Sequence, residues 1–141
     1  FVSEGYEWID GSDRSNCALT FMRKDAAGDY LIVVLNFTPV VRTPYRIGVP
    51  EEGTYEEIFN SDRHEYGGSA VLNEGDLTAE YFHYQWKDYS LQITLPPLGM
   101  VVLRSKKTKK TTDDGPSAPL RDRKKAAKMT GDGPQTTGTK I

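Results

Sequence analysis

Cys17-Ala18-Leu19-Thr20-Phe21-Met22-Arg23-Lys24, then Asp25-Ala26-Ala27-Gly28-Asp29, then Tyr30-Leu31-Ile32-Val33-Val34-Leu35-Asn36-Phe37 is the stretch on which the fold turns. The first run alternates, setting Cys17, Leu19 and Phe21 on one face of an extended chain and Ala18, Thr20 and Met22 on the other. The five residues that follow hold a glycine free to take a positive φ, as a hairpin loop requires. The second run is β-branched and nearly continuous in apolar residues, which predicts a central strand covered on both faces. Cys17 is read as a buried strand position within the first run.

Outward from this hairpin the chain reads as β throughout residues 1–104. Pro39 and Pro44 remove ladder donors, so Thr38 to Pro44 is a crossover and no central strand. Tyr45–Val49 and Thr54–Phe59 read as a second hairpin, turned by Pro50-Glu51-Glu52-Gly53. Asn60 to Asp76 holds three glycines and few apolar residues and reads as a long loop. Leu77 to Gln85 reads as an irregular edge strand, and Ser90–Leu95 and Met100–Arg104 as strands joined through Pro96-Pro97-Leu98-Gly99. Turn signals roughly every ten residues predict a small antiparallel β-sandwich, Greek-key-like, of about 7–8 strands.

Charge divides the chain. Residues 1–104 carry 8 Lys and Arg against 16 Asp and Glu, whereas residues 105–141 carry 10 against 4. An acidic β domain at 1–104 is therefore followed by a basic tail at 105–141, whose few large apolar side chains cannot offset the entropy of ordering it. The tail is expected to be disordered, with at most a short helix over Ala118–Met129. It lacks the interleaved aromatics of a nucleic-acid stacking platform, so no nucleic-acid partner is expected. The longest apolar run, Leu31 to Leu35, is far too short to span a bilayer, and no membrane partner is expected. The chain opens Phe1-Val2-Ser3-Glu4 with no methionine and no secretory leader, and is read as a piece of a longer product.

Candidate chemistry is sparse. Glu51-Glu52 sits in a turn, Glu56-Glu57 points to opposite faces of a strand, and Asp113-Asp114 belongs to the tail. None forms the paired carboxylates that glycoside chemistry uses. His64 and His83 are the only histidines and have no metal-ligand spacing. No catalytic residue, metal or cofactor is expected. Aromatic residues are the better candidates, because the C–H faces of sugar rings stack on exposed Trp and Tyr. Tyr6 and Trp8 lie in Gly5-Tyr6-Glu7-Trp8-Ile9-Asp10, and Trp86 in Tyr81-Phe82-His83-Tyr84-Gln85-Trp86. Packing in the core or against a neighbouring domain is the alternative for each ring.

Taken in order, Gly5 to Asp10 with Asp13-Arg14, Leu19 to Lys24, Val33 to Val40 and Tyr45 to Pro50 resemble the C-terminal β domain of 1,4-α-glucan (glycogen) branching enzymes. The resemblance continues through Asn60-Ser61-Asp62, Tyr66-Gly67-Gly68-Ser69 and Ser90 to Leu98. The chain departs from that pattern at Tyr81 to Asp88, which is richer in aromatics and lacks the glycine before Tyr89-Ser90-Leu91. The resemblance implies part of an α-amylase-type enzyme that cleaves an α-1,4 link and transfers the chain to form an α-1,6 branch. It implies that the catalytic carboxylates lie on a (β/α)8 barrel outside this chain, so that the piece alone is inactive. Implied partners are that barrel and α-glucan or glycogen, with Trp8, Tyr6 and Trp86 as candidate glucan contacts and the cytoplasm as the compartment. A carbohydrate-binding module, or the same domain of a debranching enzyme, stands as the alternative.

Overall fold

The structure is a computed structural model and describes residues 3–107. The expected disorder of the tail and the helix at Ala118–Met129 lie outside the described residues. A 3-10 turn at Ser3–Gly5 leads into eight strands: β1 (Tyr6–Asp13), β2 (Ala18–Lys24), β3 (Tyr30–Asn36), β4 (Arg42–Val49), β5 (Thr54–Asn60), β6 (Leu77–Thr78), β7 (Tyr89–Leu95) and β8 (Gly99–Ser105). They form a six-stranded sheet in the order β1-β2-β3-β8-β5-β6 and a two-stranded sheet of β4 and β7. Every pairing is antiparallel. The fold class is therefore all-β, as the sequence predicts.

The core lies between the two sheets. Met22, Ile32, Val34, Tyr55, Val101 and Leu103 of the large sheet meet Ile47, Val49, Leu91 and Leu95 of the small one, all at 0–1% exposure. Each such side chain contributes about 1.5–3 kcal/mol by leaving water. Strand β3 is central, flanked by β2 and β8, with Ile32, Val33 and Val34 buried. Only its core side is covered by a second layer; on the other side Leu31 and Leu35 are half-buried and Val33, between Phe21 and Val102, is 9% exposed.

Two local expectations are corrected. Cys17 precedes β2 in a left-handed turn (φ 49°), is exposed, and its Sγ–H donates to the Arg14 carbonyl at 3.3 Å. The buried face of β2 is Ala18, Thr20 and Met22 rather than the face of Leu19 and Phe21. Both faces are apolar, so alternation separates them without saying which meets the second sheet. Strands β4 and β5 are likewise not a hairpin. The corner Pro50 to Gly53 carries the chain from one layer to the other, so β4 pairs with β7 and β5 with β6 and β8. Pro44 falls inside β4 where the register slips between Arg42 and Tyr45, a place in a ladder where a missing N–H is tolerated.

Polar clasps hold the corners. Asn36 Nδ2 donates to the carbonyls of Val40 and Pro96, both at 2.9 Å, while its Oδ1 accepts from Thr38 N at 3.0 Å. One buried amide thus ties the crossover to the corner between β7 and β8. Strand β8 runs to Ser105, and Lys106 N still donates to Thr54 O at 2.7 Å. Among the described residues, no helix is long and apolar enough to cross a membrane.

Candidate functional site

Tyr6 and Trp8 are two residues apart on β1 and so share a face. Their rings meet edge to face at 5.2 Å; Tyr6 stacks on Phe21 of β2 at 5.2 Å, and Trp8 meets Phe21 at 5.9 Å. Gly11 lets the indole lie close: a Cβ there would stand 3.3 Å from Trp8 Cε3. The Trp8 indole is thus braced from beneath and along two edges, and remains 54% exposed.

Register extends this cluster across the sheet. Trp8 pairs with Phe21, Phe21 with Val33, Val33 with Val102, and Val102 with Phe59, one lateral apolar row over five strands. A second row, Leu19, Leu35 and Met100, runs beside it. Phe37 and Leu98 continue that end at 58% and 68% exposure, and Tyr66 packs on Phe59 with centroids 5.6 Å apart. The next row is charged: Arg23 lies over Tyr6, and Arg104 pairs with Glu56 at 2.6 Å. This is an apolar sheet face with a charged rim, turned away from the core. Sequence reasoning singled out its Trp8 edge and missed its extent; the signal was the apolar content of both faces of β2 and β3.

Trp86 belongs to a different place. Tyr84 N donates to Lys87 O at 2.9 Å and Lys87 N to Tyr84 O at 3.0 Å, closing a two-residue turn around Gln85 and Trp86. The turn sits over β4 and beside Glu7 and Asp10 of β1, whose ladder partners Met22 and Thr20 mark the core side of the large sheet. Tyr6 and Trp8 therefore come together, and Trp86 does not join them.

Several titratable groups have structural employment. Glu7 is held by Lys24 and Lys87, and those ammonium groups, Lys24 first, draw its carboxyl below the usual range. Glu57 accepts from Asn73 Nδ2 at 2.7 Å, while Glu56 turns to Arg104. Asp62 accepts from Val71 N at 2.9 Å, Ser69 N at 3.0 Å and Ser69 Oγ at 2.8 Å, which fixes the long loop and lowers the Asp62 carboxyl. His64 Nδ1 lies 3.2 Å from the Gly68 carbonyl, and His83 Nδ1 3.6 Å from Asp88. Among the described residues, no three His, Cys, Asp or Glu side chains gather as metal ligands.

The family described as "Alpha amylase, C-terminal all-beta domain" matches residues 8–106. The 1,4-alpha-glucan branching enzyme GlgB of Nitrosococcus oceani is 50% identical over 107 residues, and that of Thermosynechococcus vestitus 48% over 105. These alignments take in 75% and 74% of this chain but only 14% of each relative. The corresponding enzyme of Cereibacter sphaeroides is 51% identical over 98 residues, 70% of this chain and again 14% of the relative. The chain thus spans about one-seventh of the length of the curated relatives it matches. Among solved structures, the alpha-amylase from H. orenii aligns with 72% of this chain and 16% of its own at 21% identity and a TM-score of 0.40, a likeness too loose to carry an argument.

Proposed function

Because the chain belongs to the alpha amylase C-terminal all-beta domain family, we propose that it serves as the C-terminal domain of a 1,4-α-glucan branching enzyme and supports that enzyme's catalytic portion. The enzyme would cleave an α-1,4 link, retain the chain on a carboxylate nucleophile and pass it to a 6-hydroxyl, forming an α-1,6 branch in glycogen. The nucleophile and the acid/base would belong to the (β/α)8 barrel elsewhere in the polypeptide. The domain proper comprises residues 1–104, all but the last residue of β8, with the basic remainder appended. The compartment is the cytoplasm, whose reducing conditions suit a single free thiol.

The observation that carries the supporting role is the apolar row Trp8, Phe21, Val33, Val102 and Phe59 with its neighbours. Proteins rarely leave a contiguous apolar face of this kind to water. The face is bordered on one side by a charged row and lies opposite the domain's own core, which suits it to packing on a neighbouring domain of the same polypeptide. A second reading attaches to its β1 edge. The braced indole of Trp8, beside Tyr6, is a rigid platform on which a glucan passing along the interface would stack.

The deciding experiment is a branching assay on the full-length gene product with amylose. New α-1,6 links, counted by chain release with a debranching enzyme, are the expected result. Hydrolysis of existing α-1,6 links would instead identify a debranching enzyme. Glucan binding with neither reaction would leave a carbohydrate-binding module. Trp8→Ala tests the second reading: weaker binding of maltooligosaccharide at an unchanged thermal midpoint supports a platform, and a lowered midpoint with unchanged binding assigns Trp8 to packing.

A further inference from the structure

We propose that the turn Tyr84–Lys87 is a separate glucan-holding site, with Trp86 as its stacking ring. The proposal rests on the reading of the polypeptide as an α-glucan enzyme and adds a site remote from the apolar sheet face. The conformation of the turn is the first argument. Gln85 and Trp86 are both left-handed, at φ 51° and 65°, and neither is a glycine. A side chain in that region carries strain that glycine would avoid, and two-residue hairpin turns favour Asn-Gly for this reason. Strain of this kind persists where the surroundings fix it, and it concentrates at binding sites.

Here the surroundings do fix it. Gln85 Oε1 accepts from Gly48 N at 2.8 Å, and Gln85 Nε2 donates to Asp10 Oδ2 at 2.9 Å, so one side chain pins the turn to both sheets. Lys87 Nζ reaches Glu7. The turn presses on Gly48 so closely that a Cβ there would stand 2.4 Å from the Tyr84 carbonyl oxygen. The result of this clamping is an indole 91% exposed, the most exposed large apolar side chain described. Tyr81, braced edge to face on Tyr89 at 5.5 Å, is 83% exposed on the same segment.

The chemistry selects the occupant. A pyranose offers an apolar C–H face to a single indole and hydroxyls to its rim; the exposed Tyr81 and the exposed His83–Asp88 pair, 3.6 Å apart, are polar neighbours of Trp86 along the same segment. A protein partner would be expected to engage a broader surface, and the apolar sheet face lies on the other side of the large sheet. Because the turn is held before ligand arrives, binding needs no ordering of the loop.

The test uses the full-length gene product with glycogen and maltoheptaose as probes. Oxidation of Trp86 by N-bromosuccinimide, read by peptide mass, should be fast in the free protein and slowed by either sugar. Trp86→Ala should weaken glycogen binding about tenfold at an unchanged thermal midpoint, and Trp86→Phe should restore most of the affinity. Unslowed oxidation, or equal affinity of Trp86→Ala, overturns the site while the glucan reading stands. Slow oxidation before sugar is added, with a lowered midpoint for Trp86→Ala, overturns it in favour of a protein contact. A wild-type protein that binds neither sugar overturns this proposal and the glucan reading together.

Discussion

Asp62 shows how one carboxylate organises a long loop. It is 8% exposed, and two backbone N–H groups and the Ser69 hydroxyl donate to it. These bonds, that from Val71 N foremost, hold its folded pKa below the ordinary value. A group with a lowered folded pKa adds stability above its unfolded value and loses it as pH falls through the folded one. Asp62→Asn should therefore cost about 1–3 kcal/mol in urea unfolding at pH 7. The gap from wild type should begin to narrow below about pH 4 and close as pH falls through the lowered folded value, where the wild-type carboxyl also takes up a proton. Gly48 is a second position where a single atom decides. Gly48→Ala would drive a methyl to 2.4 Å from a backbone oxygen, so the Tyr84–Lys87 turn must lift. A loss of about 1–3 kcal/mol and new proteolytic cleavage near Trp86 are expected.

Strands and turns obey rules that the sequence states and others that it does not. The β2–β3 hairpin was legible, because a five-residue loop with Gly28 leaves antiparallel neighbours little choice. The β4–β5 corner was not legible. Pro50 to Gly53 has the composition of a hairpin turn, and only the competition for partners, with β7 and β8 available, sends the two strands to different layers. The Tyr84–Lys87 turn reverses the usual case, since its residues do not suit its conformation. Trp86→Gly should remove the penalty at φ 65° and raise stability by up to about 1 kcal/mol, measured as the thermal midpoint. A fall in stability would mean that the indole rests on protein.

Among the described residues, one core lies between the sheets and one apolar face of the large sheet is turned away from it. Phe37 tests what that face is for. It is 58% exposed and takes no part in the core cluster, so Phe37→Glu should leave the domain's own unfolding within about 0.5 kcal/mol of wild type. In the full-length gene product the same change would place a charge in the proposed interface. Calorimetry should then show the β domain melting apart from the catalytic portion, with faster proteolysis between them. A single unchanged transition would remove the face from the interface.

The sequence by itself determined the β class, the central place of β3, the crossover at Pro39 and the long glycine-rich loop, although Pro44, read as part of that crossover, lies inside β4. Each follows from local physics: alternation, β-branching and the backbone limits of proline and glycine act within a few residues. It also exposed Tyr6, Trp8 and Trp86 as rings worth following. Tertiary structure alone decided which face of β2 is core, which strands share a sheet, and that Tyr6 and Trp8 lie together while Trp86 stands apart. These depend on partners 20 to 80 residues away, such as Gln85 with Asp10 and Lys87 with Glu7. No local pattern encodes such pairings, because they are settled only when two layers close on a common core.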